Sequence, residues 1–173
     1  MKKILWNIVC SFLLIACFND SSNAQARFVK RANLETQVWR YEVECVSTGA
    51  SGTYLVKVWS YSINPIVAIE QSKKNAVHGI IFKGFTGHGA GCTQNALNKN
   101  PTQDQEIFFN NFFADGGDYM KYVSTSTDGS IDAADILRIG KEFKIGVIVS
   151  VSKDALRKYL ETAGILKSLD AGF

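Results

Sequence analysis

The pattern of apolar and polar positions divides this chain into strands and helices. From Gln37 to Val46, Trp39, Tyr41, Val43 and Cys45 alternate with Arg40, Glu42 and Glu44, the signature of a half-buried strand. Thr48 to Gly52 reads as a turn. Thr53 to Tyr61, rich in Val, Tyr and Trp, reads as a second strand, so the pair predicts an antiparallel hairpin. Asn64-Pro65 opens a helix, with Asn as cap and Pro at the first helical position, running to about Val77. Ala68, Ser72 and Ala76 form a small-residue stripe on it, flanked by Ile66, Ile69, Val77 and Ile80.

The apolar run Ile80-Ile81-Phe82 predicts a third strand over His78 to Phe85, followed by a polar loop from Thr86 to Thr102. A second helix is expected over Gln103 to Ala114, with Ile107, Phe108 and Phe112 as its apolar face and Phe113 at its margin, ended by Asp115 to Asp118. Tyr119 to Thr125 reads as a fourth strand. Glu142 to Ser152 reads as a fifth, where Ile145, Val147, Val149 and Val151 alternate cleanly. Asp154 to Lys167 is the last helix, burying Leu156, Tyr159, Leu160 and Leu166. The order β-β-α-β-α-β-β-α predicts one α+β domain over 30–173. Its architecture is a two-layer sandwich, a mostly antiparallel sheet with helices on one face.

The N-terminal stretch is of another kind. Lys2 and Lys3 precede an apolar run from Ile4 to Ala16, about 13 residues, too short to span a bilayer core of ~30 Å. It suits a signal peptide. Two processing sites compete. Ala24-Gln25-Ala26 would release a soluble protein beginning at Arg27, making 1–26 the leader. Leu14-Ile15-Ala16-Cys17 resembles a lipobox, in which Cys17 is lipidated, 1–16 is removed and 17–29 forms a tether. Both readings place the protein outside the cytoplasm, in the periplasm or as an outer-membrane lipoprotein.

Charge and candidate chemistry narrow the function classes. The chain holds 19 Lys+Arg against 16 Asp+Glu, a net +3 without blocks of like charge, which argues against a nucleic-acid binder. Cys45 and Cys92 remain after processing at Ala26. In an oxidising compartment they are either a disulfide or two inert thiols. The glycines of Gly84 to Gly91 lack the dinucleotide-binding spacing and a following Lys-Ser/Thr, so the segment reads as a surface loop. Asp128, Asp132 and Asp135 match part of a calcium loop, but Ser124 and Ser126 stand at its first and third ligand positions. Lys73, Lys74, Lys141 and Lys144 are scattered and read as solvating charge. Phe109 and Phe113 fall off the main face of the second helix and, with Phe112, are the candidate partner surface. His78 and His88 are the only histidines, and neither has a Ser/Asp pair at a recognisable spacing, so no catalytic residue is assigned.

Longer stretches carry a resemblance. Trp39-Arg-Tyr-Glu-Val-Glu-Cys-Val, the hairpin to Val56-Lys-Val-Trp-Ser-Tyr, and Ala68-Ile-Glu-Gln-Ser-Lys-Lys-Asn-Ala-Val-His-Gly-Ile-Ile-Phe-Lys-Gly form its first part. Gly140-Lys-Glu-Phe-Lys-Ile-Gly-Val-Ile-Val-Ser-Val, Ala155-Leu-Arg-Lys and Gly172-Phe173 form its second. Over about Gln37 to Phe173 the chain resembles an uncharacterised family of small exported envelope proteins of Gram-negative bacteria, loosely associated with curli-export-channel-like lipoproteins. Arg40 to Phe82 is also similar, more weakly, to the N-terminal domain of flagellar assembly protein T. Both resemblances imply an accessory or assembly role and carry no catalytic residues. The expectation is a non-enzymatic cell-envelope accessory protein without cofactor, docking on another envelope protein of an export or surface-assembly complex. It would touch membrane only through a lipid anchor. The alternative is a small-ligand or calcium-binding periplasmic module.

Overall fold

β1 (Tyr41–Thr48) and β2 (Thr53–Ser62) pair as an antiparallel hairpin, with a register shift between Cys45 and Ser47. The structure, a computed structural model, describes residues 26–27, 30–31, 34, 38–50, 52–87, 91–114, 116–126 and 130–168. Residues 1–25, Cys17 among them, and Asp128 lie outside the described residues. Alternation decides which side of each strand is buried: Tyr41 and Cys45 on β1, and Val56, Val58, Ser60 and Ser62 on β2, face inward.

β5 (Glu142–Ser152) pairs antiparallel with β2 along its whole length, from Thr53 opposite Ser152 to Ser62 opposite Phe143. Its other edge is shared by two short strands. β4 (Ile136–Ile139) covers Glu142 to Ile145, and β3 (Val123–Thr125) covers Val149 to Val151. The result is a curled five-stranded antiparallel sheet in an α+β fold.

α1 (Pro65–His78) begins where Asn64 Oδ1 accepts from the Ile66 amide, and it packs on β2 and β5. Its small stripe is the contact face: Ala68, Ser72 and Ala76 are all fully buried. α2 (Gln103–Phe112) starts with a reciprocal capping box between Thr102 and Gln105. α3 (Lys153–Thr162) follows β5 directly and buries Leu156 and Leu160. One connected core joins the inward face of the sheet to all three helices.

Three expectations are corrected and one element is added. The third strand at His78 to Phe85 is absent: α1 runs through His78 and continues as a π-helical turn over Gly79–Lys83. An Ile-Ile-Phe run serves a buried helix end as well as a strand. Here Ile80 and Ile81 are fully buried, and their carbonyls accept from the Leu97 and Asn98 amides instead of a sheet partner. Gly84, at φ 69, ends the turn. Tyr119 to Thr125 is strand only in its last three residues, because Asp118–Tyr122 is a 3-10 turn. Between the expected fourth and fifth strands, Ala133–Asp135 forms a 3-10 turn and Ile136–Ile139 an additional strand, β4. The last helix stops at Thr162. Gly164, at φ 72, lets the Ile165 and Leu166 amides return to the Leu160 carbonyl.

Candidate functional site

His78, the last residue of α1, lies where the helix end meets the segment entering β1. Trp39, two residues before β1, holds φ 49, the one positive φ of a non-glycine residue among those described. That backbone lays the indole flat on the His78 imidazole, with ring centroids 3.5 Å apart and planes 17° apart. Phe113 meets Trp39 edge-on at 5.3 Å. Phe82, on the π-turn, is 4.6 Å from His78 and 4.7 Å from Phe109. These rings wall a cleft of about 530 Å³, completed by Lys74, Glu106 and Asn110.

Electrostatics set the state of the imidazole. Tyr41 Oη lies 2.5 Å from His78 Nδ1. Burial, then the positive charge of Lys83, pulls the His78 pKa down to about 3, so the ring is neutral near pH 7. Burial also raises the Tyr41 phenol above its ordinary range, keeping it protonated. A phenol donating to Nδ1 leaves the ring proton on Nε2. Lys83 braces the assembly: its Nζ lies 3.8 Å from the Tyr41 ring centroid and donates to the Trp39 carbonyl at 3.4 Å. Burial lowers its pKa. An imidazole so acidic is poorly matched to general-base work near neutrality, whereas its N–H suits recognition of a carbonyl or carboxylate oxygen.

The residues singled out from sequence fall in different places. Cys45 and Cys92 are joined by a disulfide, with Cα atoms 5.4 Å apart. Phe109, Phe112 and Phe113 do not form an exposed surface: they are 5%, 3% and 6% exposed. Positions 109, 112 and 113 make the inward stripe of α2, and Ile107, expected inside, is 60% exposed. Phe109 and Phe113 nevertheless line the cleft. Asp132 caps the 3-10 turn through the Ala134 amide, and Asp135 pairs with Lys57 at 2.8 Å. Among the described residues no group of three or more His, Cys, Asp or Glu side chains is placed to hold a metal ion. Lys74 is buried with its Nζ 5.8 Å from the Tyr119 ring centroid, and Lys144 pairs with Glu42 at 2.7 Å.

Sequence reasoning missed the Trp39–His78 stack, because reading His78 into a strand separated it from the end of α1. The available signal was the length of the helical pattern, which continues past Val77. No family model matches the chain, and no curated protein or solved structure matches it either.

Proposed function

We propose that this chain is a non-enzymatic accessory protein of the cell envelope that docks on another envelope protein through the Trp39–His78 cleft. One observation carries the docking reading. An aromatic-walled cleft, lined by a neutral imidazole, is built around a residue in a strained backbone conformation. Its chemistry fits an apolar or aromatic side chain of the partner, with an adjacent backbone carbonyl accepting from His78 Nε2. Aromatic anchors seated in desolvated pockets dominate protein interfaces. The envelope assignment is supported by the leader in the sequence and by the Cys45–Cys92 bridge, a bond that persists in oxidising compartments.

Site-specific crosslinking tests this. A photoreactive residue at Asn110, on the lip of the cleft, should give one discrete adduct in intact cells, lost when Trp39→Ala is added. The same probe at Lys158, on the exposed face of α3, should not give it. Recovery of the protein only as a monomer from both positions, or identical adducts from both, overturns the reading.

A further inference from the structure

The stripe of α1 next to Lys74 and His78 carries Gln71 and Asn75, which are 3% and 2% exposed. Asn75 Nδ2 donates to the buried Ser60 hydroxyl at 2.9 Å, but Asn75 Oδ1 has no hydrogen-bond partner among the described residues. A buried acceptor without a donor is costly and rare in a native protein, and it calls for a missing partner. Gln71 and Asn75 line a recess of about 260 Å³, separate from the aromatic cleft. At its mouth Arg40 forms an ion pair with Glu142, and the guanidinium stands 4.6 Å over the Tyr61 ring. Val38 and Ile63 form apolar lips. A second recess of about 310 Å³ adjoins it and shares Arg40, Tyr61 and Glu142.

We propose that the first recess binds a neutral polyhydroxyl ligand, a sugar ring of hexose size, and that the adjoining recess takes the next ring of the same glycan. A sugar hydroxyl both donates and accepts. One seated at the bottom donates directly to Asn75 Oδ1. The guanidinium N–H groups not bonded to Glu142 and the second Glu142 oxygen present a donor and an acceptor for neighbouring hydroxyls. The apolar lips and the edge of Tyr61 meet the C–H face of the ring. Charge selects a neutral ligand. Arg40 and Glu142 already neutralise each other, so an anionic or cationic ligand would bring an uncompensated charge into a partly desolvated site. The volume lies below the roughly 300–1,000 Å³ of drug-sized pockets, which suits a single ring.

The test is a titration of the oxidised protein followed by amide and side-chain NMR, using glucose, galactose, N-acetylglucosamine and the β-1,4-linked disaccharide of the last. Glucosamine and glucuronate serve as the charged forms. Saturable shifts are expected at the Asn75 and Gln71 side-chain amides with at least one neutral sugar, and the disaccharide should bind about tenfold more tightly than its monomer. Arg40→Gln, an exposed change that leaves the core intact, should weaken binding about fivefold or more. Signals of Trp39 and His78 should stay in place, which separates this site from the docking cleft. No saturable shift with any neutral sugar, or tighter binding of a charged form, overturns the proposal. A bound-water signal at Asn75 that no sugar displaces also overturns it, because a trapped water would then satisfy Oδ1.

Discussion

His78 couples the cleft to pH. Its folded pKa is about 3 against an ordinary value of 6.5, so between these limits the unfolded chain binds a proton that the native chain does not. The associated stability is complete above pH 6.5 and is lost as pH falls toward 3, at up to about 1.4 kcal/mol per pH unit. Glu42 and Asp118 add an effect of the same sign in a more acidic window. Hydrogen bonds from Lys144 and then Tyr61 hold Glu42 below its usual range, and bonds from Lys121 and then Tyr159 do so for Asp118. Urea unfolding at pH 7 and pH 5 therefore isolates the imidazole. Stability should drop by about 2 kcal/mol at pH 5, and His78→Phe should flatten the difference. Equal midpoints for the parent protein at the two pH values would mean that His78 is accessible to protons in the native state. Gly146 is a second residue whose identity is dictated by a neighbour. On the outer face of the sheet the Trp59 ring lies over it, and an added Cβ would come within 2.9 Å of Cζ3. Gly146→Ala should destabilise by about 1–3 kcal/mol and change the Trp59 fluorescence.

At the scale of elements, α2 offers a direct check on which of its faces is inside. Phe109→Ala should cost about 3–5 kcal/mol, while Ile107→Ala should stay within about 0.5 kcal/mol, both read from denaturant midpoints. The reverse result would restore the face that the sequence suggests. This helix shows where legibility ended. Phenylalanines at 108, 109, 112 and 113 satisfy two overlapping apolar stripes, and only packing against Phe82 selects the one through 109 and 113. The long elements were readable because each satisfies one period alone. β5 alternates over 11 residues with the bounds that its pattern implies, and Asn64-Pro65 announces α1 chemically. Short apolar runs were not readable, since Ile80-Ile81-Phe82 fits a strand and a helix end equally. β4 escaped notice for a related reason. Its four residues are all exposed, so no face of it shows a core pattern. Of the candidate site, the aromatic residues were visible as a set. The stack of Trp39 on His78 depends on a positive φ that no local pattern announces.

For the whole molecule, the Cys45–Cys92 bridge closes a separation of 47 residues. In the chain-entropy description such a loop contributes about 4 kcal/mol. Reducing agent, or Cys45→Ser with Cys92→Ser, should lower the unfolding free energy by about that amount while leaving the helical circular dichroism unchanged. A loss near zero would show that the Phe85–Gln94 bridge and the Ile80 and Ile81 carbonyls suffice to hold the loop. The placement of β5 has a consequence in time. This strand is the centre of the sheet, flanked by β2 on one edge and by β3 and β4 on the other, yet it is synthesised after every other strand and after α1 and α2. Until residue 152 is synthesised, the β1–β2 hairpin has one bare edge and α1 has only part of the surface it packs on. Folding must therefore await the emergence of β5 and then assemble distant partners in one step. Such topologies fold in roughly milliseconds to seconds. A nascent chain arrested before Glu142 should remain open to protease digestion, and one arrested with all 173 residues outside the exit tunnel should resist it.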